Sequence, residues 1–367
     1  MLDIFRKWYE RYLIEEEAVL LLVLLAISLL VLMTVGDILV PVLASIVLAY
    51  LMQGMASQLF RFGLPQWIGV SVSFIVFIGA FFAFTLGLLP LAWRQLVGLA
   101  GEMPRMIERG KELLGVLPEQ YPEIFSQAQI NDLVGLLQAE LAILGQSVLT
   151  ISFNSIPGFL AVMVYMVLIP ILVFFFMKDR QQILNWFSGF LPNERPLLKR
   201  IWNEMDTQVA NYARGKVIEI LIVGGASYVA FTWMDLRYAA LLGLLVGLSV
   251  IVPYIGAAIV TLPVVMVAFF QWGFSSEFYY LFAVYAFIQI IDGNVLVPLL
   301  FSEAVNLHPV AIILAVLFFG GIWGLWGVFF AIPLATLIKA VINAWPRPEL
   351  IAQLDQELGA ENLQNTE

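Results

Sequence analysis

The chain has no cysteine and a single histidine in 367 residues. The first absence excludes disulfides, thiolate metal sites and cysteine nucleophiles. The second leaves His308 without the partners that a multi-histidine metal centre requires. Charge is scarce as well: Asp, Glu, Lys and Arg make up 12% of the sequence, against about a quarter in a soluble domain. The 18 basic and 27 acidic residues leave a formal charge of -9, and no basic patch interleaves with aromatics, which speaks against nucleic acid as a partner. Signatures of catalysis are missing too. There is no Gly-x-Ser-x-Gly and no His-Glu-x-x-His, and Arg214-Gly215-Lys216 lacks the upstream glycine and the following Ser/Thr of a phosphate loop. Neither enzymatic activity nor a cofactor nor a bound metal is expected.

What abounds is apolar. Hydrophobic residues are 62% of the chain and the mean hydropathy is +0.94, the composition of a protein whose main solvent is lipid. Runs long enough to cross a bilayer lie at 18–35, 38–60, 67–92, 156–177, 217–233, 238–272, 278–301 and 309–344. They lack the two-residue alternation of barrel strands, and helices satisfy their own amides in hydrocarbon. The expected fold is an all-α polytopic membrane protein with about eight transmembrane helices. Arg6, Lys7 and Arg11 precede the first run, but no small-residue cleavage site follows it, so it reads as a retained anchor.

Two runs are too long. At 35 and 36 residues, 238–272 and 309–344 would measure roughly 52–54 Å as straight helices against about 30 Å of hydrocarbon, which demands a tilt beyond about 50°. Interruptions are therefore expected, at Pro253, Gly256 and Pro263 in the first run and through Gly320-Gly321-Ile322-Trp323-Gly324-Leu325-Trp326-Gly327 to Pro333 in the second.

The stretches between the runs define the remaining organisation. Residues 1–17 form an N-terminal tail, and transmembrane helices 1–3 fill 18–92. Residues 93–150 are mostly polar, cut by Pro104, Pro118 and Pro122 into short helices, with Leu133, Leu136, Leu137 and Leu141 at helical spacing; they read as a small extramembrane module. Helix 4 occupies 151–177, a basic helical segment 178–216, helices 5–8 fill 217–345, and an acidic tail covers 346–367. Seven of the eighteen basic residues fall in 178–216, so that segment and both termini are expected in the cytoplasm. The 93–150 module, with four basic and seven acidic residues, then lies outside, in the periplasm.

Ionisable residues inside spans are few and informative. Asp292, in Gln289-Ile290-Ile291-Asp292-Gly293-Asn294, reads as an ion or proton site with Gln289 and Asn294 as further ligands, or as an interhelical lock. Glu219 follows Lys216 by three residues and Arg214 by five, a pattern for an interfacial salt bridge. Asp37 stands between two spans as a loop or cap residue. His308, before Pro309, reads either as a titrating gate or as a plain helix cap. Half-helix ends at membrane depth would expose amides and carbonyls to a solute, and a mere proline kink is the alternative. Gly243 with Gly247, and Gly320 with Gly324, fit close helix contacts.

Taken in order, Phe175-Phe176-Met177-Lys178-Asp179, Asn211-Tyr212-Ala213-Arg214-Gly215-Lys216, Val252-Pro253-Tyr254-Ile255-Gly256 with Pro263, Gln289 through Pro298, and Asn306-Leu307-His308-Pro309 through Ala331-Ile332-Pro333-Leu334-Ala335 resemble the AI-2E (autoinducer-2 exporter) transporter family. The likeness runs from about residue 10 to 346 and is strongest to its PerM branch. It implies an inner-membrane homo-oligomer, a pentamer, and links to export of the signal autoinducer-2 or to sodium/proton antiport. It also places family motif positions on Pro253, Gly256, Gln289, Asp292, Pro298, His308, Pro309 and Gly327. The expected function is a secondary transporter of a small polar solute, with H+ or Na+ as coupling ion and with Asp292, Gln289, Asn294, Pro253, Tyr254, Gly256, Pro298, His308, Gly324 and Gly327 along its path. The rival is a non-transporting scaffold in the bilayer that recruits envelope proteins through 93–150.

Overall fold

The computed structural model describes residues 16–115, 156–192, 195–253, 255–301 and 307–344, with isolated positions at 126, 128, 132 and 135. The tail before Glu16, nearly all of 116–155 with its leucine spacing and Pro118 and Pro122, Tyr254, and the acidic tail after Ala344 lie outside the described residues. Every described element is helical: α1 Glu16–Arg61, α2 Gln66–Phe82, α3 Leu89–Gly115, α4 Ile156–Lys178, α5 Arg180–Ser188, α6 Pro196–Trp233, α7 Ala239–Ser249, α8 Ile255–Trp272, α9 Ser276–Ile291, α10 Val297–Phe301 and α11 Pro309–Ala344. Wide π turns at Ala83–Leu88 and Asp292–Leu296 join α2 to α3 and α9 to α10. Seven helical stretches are long and apolar enough to span a bilayer, or eight if the bent pair α4–α5 counts as one. The protein is all-α and polytopic.

Both overlong runs are interrupted. The first splits into α7 and α8 around residues 250–254, and α7, with 11 residues, is only about 16 Å long, half a bilayer. The second stays in register until Trp323 (φ -133°, ψ 18°) and Gly324 (φ 58°, ψ -138°). The same device closes each break. A side chain on Gly256 would run into the carbonyl of Ser249, seven residues back, and one on Gly327 would run into the carbonyl of Phe319, eight residues back. Bare glycine lets the two half-helices fold that tightly. Pro263 and Pro333, by contrast, sit inside α8 and α11 and break neither.

Several boundaries expected from polarity are not helix ends. The helix that leaves the third apolar run continues past residue 92 to Gly115, with Pro104 inside it. Leu96, Leu99 and Met106 on its apolar face pack against a core of α6–α9 residues, and that burial offsets the bond lost at Pro104. Residues 196–216 and 217–233 likewise form one 38-residue helix, α6, rather than a polar segment and a separate span. Asp37 lies inside α1, two residues beyond a kink at Val35 (φ -127°, ψ 15°), rather than in a loop.

The chain divides into two compact units: residues 1–40, 180–211 and 305–367 in one, 41–179 and 212–304 in the other. In the larger unit Phe231, Leu242, Val246, Val264 and Leu281 centre the main core. A second cluster joins Val173 and Met177 of α4 to Ala49, Val70 and Phe77. The backbones of α6 and α7 touch through Gly224, Gly243 and Gly247: a side chain on Gly224 would meet the Gly247 Cα at 3.0 Å, and one on Gly243 would meet the Tyr228 Cβ at 2.7 Å. In the smaller unit the indole of Trp323 covers Gly36, next to the Val35 kink, and stacks on Phe330 at 6.0 Å. There too Arg180 grips both oxygens of Asp206, at 2.7 and 2.8 Å. His308 caps α11: its Nδ1 accepts from the Val310 amide at 3.2 Å and its carbonyl from the Ala311 amide at 2.8 Å.

Two outcomes follow for thermal unfolding of the detergent-solubilised protein. Gly256→Ala and Gly327→Ala should each destabilise by about 1–3 kcal/mol, the range for an overfilled contact, whereas Gly225→Ala, with open space around it, should not. His308→Ala should cost about 1 kcal/mol, and His308→Asn, which preserves an acceptor at the cap, should recover most of it.

Candidate functional site

In the larger unit the buried face of α6 gathers the charged chemistry. Tyr212, Gly215 with Lys216, Glu219, Val223 and Ser227 recur every three or four residues and are all buried. Lys216 is 4% exposed, and its ammonium donates to Glu219 Oε2 at 2.7 Å and to the carbonyl of Val250 at 2.8 Å. Val250 is the residue at which α7 ends. The cation therefore sits on the negative end of the half-length helix, where the Leu248 and Ser249 carbonyls accept from the Ile251 and Val252 amides and the Val250 carbonyl accepts from Lys216. The Phe301 ring at the end of α10 faces the same ammonium, 5.0 Å from ring centroid to Nζ. Tyr212 packs on that ring at 5.9 Å, and a side chain on Gly215 would run into it at 2.8 Å.

Asp292 completes the group. It is 8% exposed, opens the π turn after α9, and interacts electrostatically with both Lys216 and Glu219. One of its carboxylate oxygens, Oδ1, is buried without a hydrogen-bond partner. Gln289, one turn earlier, has a buried Nε2 in the same condition. One cation is thus paired with the Glu219 carboxylate, and one oxygen of a second buried carboxylate lacks a donor. Unpaired buried charge of this kind costs several kcal/mol, so the arrangement is suited to taking up a cation or a proton. Nearby, Thr261 of α8 donates to the Ala257 carbonyl at 2.7 Å, which leaves the Tyr285 hydroxyl, 3.0 Å away, to donate to Thr261.

Other expected residues stand elsewhere. Lys216 and Glu219 do form the expected pair, and it is buried within the larger unit on α6. The stem of Arg214 lies across Gly54, where an added side chain would come within 2.8 Å. Asn294 is exposed and donates to the carbonyl of Ile290 at 2.9 Å, so it does not join Asp292 as a ligand. Pro298 is exposed in α10 and has no amide to offer the carbonyl four residues back; the wide turn at 292–296 immediately precedes it. Pro253 lies in the α7–α8 break, held by Gly256 N–H to Val252 O at 2.9 Å. His308, Gly324 and Gly327 belong to the smaller unit. Among the described residues no group of three or more His, Cys, Asp or Glu side chains could hold a metal.

Sequence reasoning missed the Val250 carbonyl and Phe301 as partners of Lys216. The three-to-four spacing from Tyr212 to Ser227 was the available signal, obscured by reading residue 216 as the end of a polar segment.

The sequence matches the model of the AI-2E family transporters over residues 20–347. It is 45% identical over 346 residues to "Putative permease PerM" of Escherichia coli (strain K12), covering 94% of this chain and 98% of that one. "Putative transport protein YueF" of Bacillus subtilis (strain 168) is 26% identical over 287 residues, 76% of each chain. "AI-2 transport protein TqsA" of Escherichia coli (strain K12) is 21% identical over 326 residues, 89% of this chain and 91% of that one. With the family's match extending over nearly all of its spans, the chain belongs to the AI-2E transporter family.

Proposed function

We propose that the protein is a secondary transporter of the inner membrane, with both termini in the cytoplasm, that moves a small polar solute along its interrupted helices at the expense of an ion gradient. The observation that carries this reading is the buried Lys216–Glu219–Asp292 group at the end of a half-length helix. A structural protein gains little from it, because well-packed apolar residues of similar volume stabilise as much as a buried ion pair or more. A transporter has a use for it: charged groups within spanning segments mark ion and substrate routes. Membership of a family of permeases and transport proteins supports the same reading, and the name of TqsA supports an autoinducer-2-like solute. H+ or Na+ is the coupling ion in this scheme. The family resemblance further suggests a homo-oligomer, a pentamer.

Purified protein reconstituted in liposomes should dissipate an imposed proton or sodium gradient when offered its solute. Asp292→Asn should lower that flux roughly tenfold or more, the factor that about 1.4 kcal/mol of lost interaction produces, while leaving the protein folded. Unchanged flux in the variant would remove Asp292 from the mechanism.

A further inference from the structure

We infer that α5 and the start of α6 form a docking surface for the lipid interface, in which Trp186, Phe187 and Phe190 enter the boundary between headgroups and acyl chains while Lys199 and Arg200 hold anionic headgroups. Such a surface is independent of any solute the protein carries.

Along α5 and the turn after it, Ile183, Trp186, Phe187 and Phe190 recur at helical spacing on one side. Gln181, Asn185 and Ser188 occupy the other, and the Gln181 amide donates to Asn185 Oδ1 at 3.0 Å. The apolar side faces outward. Trp186, Phe187 and Phe190 are 63, 59 and 73% exposed, and the Trp186 ring lies 4.8 and 5.0 Å from the other two. Two arginines fix that presentation. Arg195 Nη1 donates to the carbonyls of Ser188, Leu191 and Pro192 at 2.7, 3.2 and 3.0 Å, which closes the end of α5 and the turn beyond it. Arg180, at the start of α5, holds Asp206 of α6 through both carboxylate oxygens. The three rings are thus carried outward by a braced hairpin.

Chain position, length and charge point to the lipid interface as the occupant. The apolar helix α4 ends at Lys178 and α5 begins at Arg180, so the rings follow directly where the chain leaves hydrocarbon. The nine residues of α5 measure about 13–14 Å, too short to cross about 30 Å of hydrocarbon. Trp and Phe on one side of a short helix suit the headgroup boundary instead. The start of α6 adds the charge. Between 180 and 202 four basic residues stand against one acidic residue, and Lys199 and Arg200 are exposed. Trp202, also exposed, lies one turn after Lys199 on the same face of α6. A basic rim beside aromatic rings attracts anionic headgroups. The same rim would repel its counterpart on a second copy docked face to face.

The absence of native cysteine allows one fluorophore to be placed at a time. Phe187→Cys, Phe190→Cys and, on the opposite side of α5, Gln181→Cys are each labelled with bimane in the full-length protein and reconstituted in vesicles of phosphatidylcholine, with or without phosphatidylglycerol. In the mixed vesicles, lipids brominated near the headgroup end of the acyl chain should quench the labels on the apolar side at least roughly twofold more than the label at Gln181→Cys, and acrylamide in the water should show the reverse order. Adding phosphatidylglycerol should raise bromolipid quenching at Phe187→Cys at least roughly twofold, and Lys199→Gln with Arg200→Gln should abolish that rise. Equal acrylamide quenching on both sides of α5 would overturn the docking surface. Stronger quenching by bromines near the chain ends would overturn it too, because α5 would then lie in the hydrocarbon. Labels on the apolar side shielded from both quenchers would overturn it in favour of a second copy or another protein covering that side. A rise that survives the double substitution would overturn the contact of Lys199 and Arg200 with headgroups.

Discussion

One buried ammonium ties the larger unit together. Lys216 bonds to a carboxylate on its own helix, to the last carbonyl of α7 and to the face of the ring that ends α10. Three separate segments therefore converge on a single charge. The exposed ion pair described in the same unit does far less. Arg237 and Glu102 meet at 3.4 Å with side chains 64% and 41% exposed, the setting in which a pair contributes between nothing and about 1 kcal/mol. Breaking the Lys216–Glu219 pair by removing one partner belongs to the class that costs about 3–5 kcal/mol, because the survivor stays buried.

The two breaks share a geometry that side chains do not supply. Each places a glycine against the carbonyl of a residue about two helical turns earlier, Ser249 for Gly256 and Phe319 for Gly327. Backbone then packs on backbone, and the remaining polar groups at the break must find partners or water. At the first break a lysine from another helix meets that need. At the second, Trp323, Trp326 and Phe330 stack over the bend, and the Trp323 indole N–H is buried without a partner.

Much of this was legible in the sequence. Run lengths fixed the number and type of spans, and the excess length of two runs, with Pro253 and the glycines of 320–327, located their interruptions. Polarity was the poorer guide to where helices stop. Helix α6 runs through Arg214 and Lys216 because its polar part is itself amphipathic, and α3 runs through Pro104 because its apolar face is packed. The site was half legible. Asp292 and the Lys216–Glu219 spacing stood out as scarce charges, but their convergence depends on tertiary packing, and the π turn at Asp292 leaves no mark in composition.

The brevity of α7 bears on how the chain enters the bilayer as it is made. Eleven residues cannot hold a nascent segment across hydrocarbon that is about 30 Å thick. Retention of α7 then relies on the glycine seam with α6, already synthesised, and on α8 emerging behind it as the other arm of a hairpin. Biogenesis of this region is accordingly a joint event, in which α6 serves as the template on which the later pair is laid down.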